Sequence, residues 1–141
     1  MPSQRDALTR LIDAELEWFE RTGIRRLIPG GARLIHQHEA LGQLFVVLGG
    51  QLAVKGAQGV ELAYVGRGEV LGEVSFLDGG MPSAEVVASD DAVVLAIPRP
   101  ALHQRLLTDH DFATRFYRAM ALVLAQRLRR MGQRKVEPLP S

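Results

Sequence analysis

Residues 64–88, YVGRGEVLGEVSFLDGGMPSAEVVA, constrain this chain more than any other stretch. Gly66, Gly68 and Gly72 fall close together, and Glu73 follows the last of them directly. An apolar run over 74–77 leads to Gly79-Gly80, then to the small-residue step Pro82-Ser83-Ala84 and a strand-like Val86-Val87-Ala88. Glycine permits tight turns and lets the backbone approach a ligand closely. A helical turn begun at Gly72 would aim its free N–H groups at an anion, so the amides that follow, at Val74 and Ser75, are candidate phosphate donors. Glu73 can accept from a sugar hydroxyl, and Ser83 can donate to a phosphate oxygen.

The segments on either side of this block read as short strands. Alternating or continuous apolar runs are expected as strands at 25–28, 33–37, 43–48, 51–55, 61–65, 84–88 and 92–97. Turn residues separate them at Pro29-Gly30-Gly31, Gly49-Gly50, 56–59 and Ser89-Asp90-Asp91. Many short strands at close spacing argue a sandwich or roll of jelly-roll type. Ile35, Phe45, Val47, Leu52, Val54, Val86 and Leu95 are its expected core.

The block resembles the phosphate-binding cassette of the cyclic nucleotide-binding domains, as in the catabolite activator family. That pattern is Gly-x-Gly-x-x-x-Gly-Glu, a variable gap, then Arg-Thr/Ser-Ala and a strand. Gly66, Gly68, Gly72 and Glu73 match the first part, and Ser83 and Ala84 the end of the second. The hairpin 45–55, FVVLGGQLAVK, is similar to the family's as well, with Gly50 in the place of its glycine. The resemblance implies a mainly β double-stranded β-helix, or jelly roll, with an N-terminal helix and two C-terminal helices. It implies ligand contacts at Gly72, Glu73, Val74, Ser75, Ser83 and Ala84, and a cyclic nucleotide or related small anion as ligand. The family's arginine, which pairs with the cyclic phosphate, falls on Pro82, which has neither charge nor N–H. Cyclic AMP is therefore expected to bind weakly or not at all in the usual way. Arg67 and Arg33 are the candidates to replace that charge.

Helical periodicity returns at both ends. Leu8, Leu11, Ile12, Leu16 and Phe19 make one apolar face over 4–21, with Ser3 as a cap and Gly23 as the stop. Trp18 lies off this face and is assigned to packing. Pro100 suits the first turn of a short helix over 100–107, and Asp109 caps a longer one running to about 131. That helix is apolar all round over 119–125, so it is expected to be covered on two sides. Phe112, Phe116, Ala119 and Val123 are assigned to the roll; Tyr117, Ala121, Leu124, Leu128 and Met131 form a seam for a second copy of the chain. A homodimer through 109–131 is expected, acting on an unknown protein partner. Arg127, Arg129, Arg130, Arg134 and Lys135 read as a solvated helix end, favoured there by the helix dipole. The domain is expected to span 1–132 (helix 4–21, roll 24–98, helices 100–131), with 133–141 a flexible tail. The sequence stops where many members of that family carry a helix-turn-helix, so no DNA-reading domain is expected.

Other classes fit less well. His36-Gln37-His38 would place two imidazoles on one strand face, and Gly30, His36, His38, Gln43 and Gly50 follow the spacing of the first cupin motif. Gln43 stands where that motif needs a carboxylate, so His36 and His38 are weak metal candidates and no metal is expected. No cysteine is present, and Ser75 and Ser83 have no histidine near them in sequence, so no enzyme is expected. A net charge of +1 does not point to nucleic acid. The N-terminus has no apolar run of the signal-peptide kind and no stretch suits a bilayer, so a cytoplasmic protein is expected. A regulatory ligand-sensing domain leads. A ligand-free dimerisation or docking scaffold and a cupin-like metalloprotein stand as its alternatives.

Overall fold

The computed structural model describes residues 15–132. The first helix, α1 (Leu16–Thr22), leads into strands β1 (Ile24–Ile28), β2 (Arg33–Ile35), β3 (Gln43–Gly49) and β4 (Leu52–Lys55). A short 3-10 turn precedes β5 (Glu61–Val65) and β6 (Val70–Leu71). The cassette helix α2 (Glu73–Asp78) is followed by β7 (Glu85–Ala88), β8 (Ala92–Pro98), α3 (Arg99–Thr108) and α4 (His110–Gly132).

Two four-stranded antiparallel sheets face one another, in the orders β1-β8-β3-β6 and β2-β7-β4-β5. Between them lie Ile35, Phe45, Val47, Leu52, Val86 and Val94, all buried, with Val54 partly covered beside them. The strands β3 and β8 are apolar at successive positions because both their faces are covered. Phe45 and Val47 point between the sheets, whereas Leu44, Val46, Leu95 and Ile97 point outward under the helices. There they meet Phe19 of α1, Phe76 of α2, Leu102 and Leu106 of α3, and Phe112, Phe116, Ala119 and Val123 of α4. The inward stripe read for the long helix is thus the one that packs on the roll.

Helix ends follow local chemistry. Phe112 N–H donates to Asp109 Oδ1 at 3.0 Å, which starts α4. That bond, assisted by Arg105 and opposed by desolvation, holds the Asp109 carboxyl below its ordinary pKa. Gly23 closes α1 in an extended conformation with its N–H on Phe19 O, and a Cβ there would lie 2.8 Å from that same oxygen. Trp18, half-buried, meets Phe112 edge-on with ring centres 5.2 Å apart.

Three expectations need correction or limits. The strand predicted over 33–37 ends at Ile35, after a register shift against β7, and His38 takes a positive φ of 64°. His36 and His38 are therefore exposed loop residues and do not share a strand face. The pair Val70-Leu71 forms a strand that the turn-rich sequence around it hid. The start of the helix predicted over 4–21, Ser3 as its cap, and the tail 133–141 lie outside the described residues.

Candidate functional site

The glycine-rich block folds as a turn, a two-residue strand and a one-and-a-half-turn helix. Gly66 N–H donates to Glu69 Oε2 at 2.6 Å and Gly68 N–H to Val47 O at 2.8 Å, which ties the turn to β3. Gly72 then reverses the chain with φ 86°, and a Cβ at this point would sit 2.7 Å from Leu41 Cδ2. The left-handed backbone favours glycine, and a side chain there would require Leu41 to shift. Phe76 N–H donates to Gly72 O at 3.0 Å, closing the first turn of α2.

After α2 the chain returns through Pro82 and Ser83 into β7. His38 N–H donates to Pro82 O at 2.9 Å and Gln37 Nε2 donates to Ser83 O at 2.9 Å. The loop after β2 therefore braces this return from outside.

Between these pieces lies a pocket of about 420 Å³. Gly72, Glu73, Val74, Ser75, Ser83 and Ala84 all line it, together with Pro82. The two halves of the block, separate in sequence, thus form one wall. The facing surface is apolar, from Ile35, Leu41, Val54, Val65, Leu71 and Val86. A pocket of this size, apolar with a few convergent polar groups, suits a small organic ligand.

The cations of the pocket come from elsewhere than expected. Arg127 and Arg130, both on α4, line it. Arg127 Nη1 pairs with the Glu73 carboxylate, which is 2% exposed, and Arg127 Nη2 donates to Val70 O at 2.9 Å. Burial above all holds the Arg127 guanidinium below its ordinary pKa; Glu69 opposes the effect and Arg130 adds to it. Arg127 is thus no solvated helix end. Val123 faces the roll, and Arg127, four residues on, continues that face. Arg130 Nη2 reaches Glu69 Oε1 at 3.7 Å.

The expected substitutes for the missing charge are not in the pocket. Arg33 pairs with Glu85 at 3.1 Å, and neither Arg33 nor Arg67 lines the cavity. Gln43 Oε1 accepts from Arg26 at 3.4 Å. Among the described residues no three His, Cys, Asp or Glu side chains are grouped to hold a metal ion, and no helix is long and apolar enough to cross a membrane.

The family model for the cyclic nucleotide-binding domain matches residues 25–109. The cyclic AMP receptor protein of Thermus thermophilus is 36% identical over 126 residues, covering 84% of this chain and 53% of its own length. The crystal structure of the Thermus thermophilus catabolite activator protein superposes with a TM-score of 0.68 at 31% identity, over 86% of this chain and 59% of that one. A cyclic nucleotide-binding domain from Methylobacillus flagellatus has the same fold, with a TM-score of 0.79 at 22% identity, over 96% and 86% of the two chains. The chain spans little more than half the length of the two Thermus proteins.

Proposed function

The chain belongs to the cyclic nucleotide-binding domain family, and on that premise we propose that it is a non-catalytic, ligand-sensing regulatory domain. Its ligand is a cyclic nucleotide or a related small anion, held without the cassette arginine. The observation that carries this reading is the pocket itself: both halves of the glycine-rich block open onto one cavity of about 420 Å³. Glu73 accepts from a sugar hydroxyl, Ser83 donates to the phosphate, and the apolar wall takes the base. A scaffold that binds nothing has no need of such a cavity.

Ligand is sensed through α4. Glu73 stands at the start of α2 and is paired with Arg127, so a ligand that engages Glu73 acts on the same contact that holds α4 to the roll. Losing a cation that would meet the phosphate from the loop removes a charge-assisted bond, so cyclic AMP binds weakly. The test is an NMR titration of the labelled protein with cyclic AMP and cyclic GMP. Shifts centred on Gly72, Glu73, Ser75 and Ser83, in fast exchange, are expected. Unmoved signals at millimolar nucleotide would leave the ligand-free scaffold as the better reading.

The output surface is the outward stripe of α4, covered by a second copy of the chain. Tyr117 is 48% and Leu128 68% exposed, with Leu124 half-buried between them, while the opposite stripe is sealed on the roll. Two-fold pairing of α4 with its copy covers this stripe with the same patch from each chain. Leu124→Glu sets two unpartnered charges in that seam and is expected to give a folded monomer by sedimentation. A variant that stays dimeric, or a natural protein that is monomeric at tens of micromolar, would show that the stripe has another use.

A further inference from the structure

We propose that Arg130 on α4, rather than the loop at Pro82, meets the negative charge of the ligand. This rests on the reading above, that the pocket takes an anionic nucleotide-like ligand, and names the residue on which its charge preference depends.

The cations lining the pocket among the described residues are Arg127 and Arg130, three apart on α4 and so on one helix face. They are not equally available. Arg127 has one Nη on Glu73 and the other on Val70 O. Arg130 has its side chain 47% exposed and touches Glu69 at 3.7 Å, beyond hydrogen-bond distance. Glu69 cannot easily follow it, because its other oxygen is bonded to Gly66 N–H at 2.6 Å. Arg130 therefore keeps guanidinium donors for an incoming anion, and taking one exchanges only a loose contact.

The Pro82-Ser83-Ala84 return itself offers only a neutral hydroxyl, on Ser83. Glu73 answers Arg127 directly, whereas Glu69, just outside the lining, answers Arg130 only at 3.7 Å. A monoanion can take the closer place at Arg130. The two guanidinium groups also repel one another, and an anion at Arg130 relieves this. Arginine is suited to the role, since its planar fork can hold a phosphate through two parallel bonds. Held this way, the anion itself joins α4 to the roll. An uncharged nucleoside would fill the cavity without making that link.

Calorimetric titration with cyclic AMP, at two or more salt concentrations, tests the assignment on the natural protein, Arg130→Gln and Arg129→Gln. Arg129 is an exposed neighbour that does not line the pocket, so it controls for the general positive field of the helix end. Arg130 is exposed as well, and its replacement should leave the fold intact by circular dichroism. Arg130→Gln is expected to weaken cyclic AMP roughly tenfold or more and to flatten the salt dependence, while Arg129→Gln stays within about twofold of the natural protein. An Arg130→Gln variant as strong as the natural protein, or an equal loss in both variants, would overturn the assignment and leave the pocket reading standing. Absence of any cyclic AMP binding to the natural protein at millimolar concentration would remove both.

Discussion

The pocket wall has a loop end, where the chain turns through Gly72, α2 and the Pro82-Ser83-Ala84 return, and a helix end, where α4 presents Arg127 and Arg130 within a single turn, and the two meet at Glu73 and Arg127. The first end is made mostly of backbone shape. Gly72 takes a left-handed conformation that favours glycine, and a Cβ there would require Leu41 to shift; the return is braced by His38 and Gln37. The second end is made of side-chain charge on a regular helix. The comparison teaches that shape and charge, which one loop can supply together, are here divided between two elements that touch only through the tertiary fold. It also makes α4 part of the pocket wall.

The largest effect should come from cutting the contact between the two ends. Arg127→Ala leaves the Glu73 carboxylate, 2% exposed, without its ion-pair partner. Breaking a fully buried pair by removing one member costs about 3–5 kcal/mol. The Arg127 side chain is 35% exposed, so urea denaturation should show a loss at or below the lower end of that range, and α4 should loosen from the roll in hydrogen exchange. A loss below about 1 kcal/mol would mean that water already serves Glu73, and that the two ends are coupled less than their geometry suggests.

The two ends were unequally legible in the sequence. The roll announced itself through period-two apolar patterns bounded by glycine and proline, which are local signals. The cassette turn was legible for the same reason: Gly66, Gly68, Gly72 and Glu73 are close in sequence, and their backbone needs are local. Asp109 as the cap of α4 and the buried stripe Phe112, Phe116, Ala119 and Val123 followed from short-range rules too. Arg127 did not, although it continues that stripe, because its partner Glu73 comes from a remote strand–helix junction. A cluster of arginines at a helix end is as compatible with solvation as with a buried pair, and only the fold decides. His36 and His38 misled in the opposite direction. Alternation suggested a longer strand, but the register shift in β2 and the positive φ at His38 end it first.

A smaller effect, and the most direct test of the division between the two ends, comes from giving the loop the charge it lacks. Pro82→Arg keeps the carbonyl that His38 N–H binds, so the brace on the loop can survive the change. A hydrogen bond to a charged group contributes about 1.5–3 kcal/mol, so cyclic AMP should bind roughly ten- to a hundredfold more tightly to Pro82→Arg than to the natural protein. Calorimetry on the two proteins side by side measures that ratio. The account predicts weak binding by the natural chain and a clear gain in the variant. Submicromolar binding by the natural protein, with no gain in Pro82→Arg, would contradict it, because the site would then already have all the charge that the ligand needs.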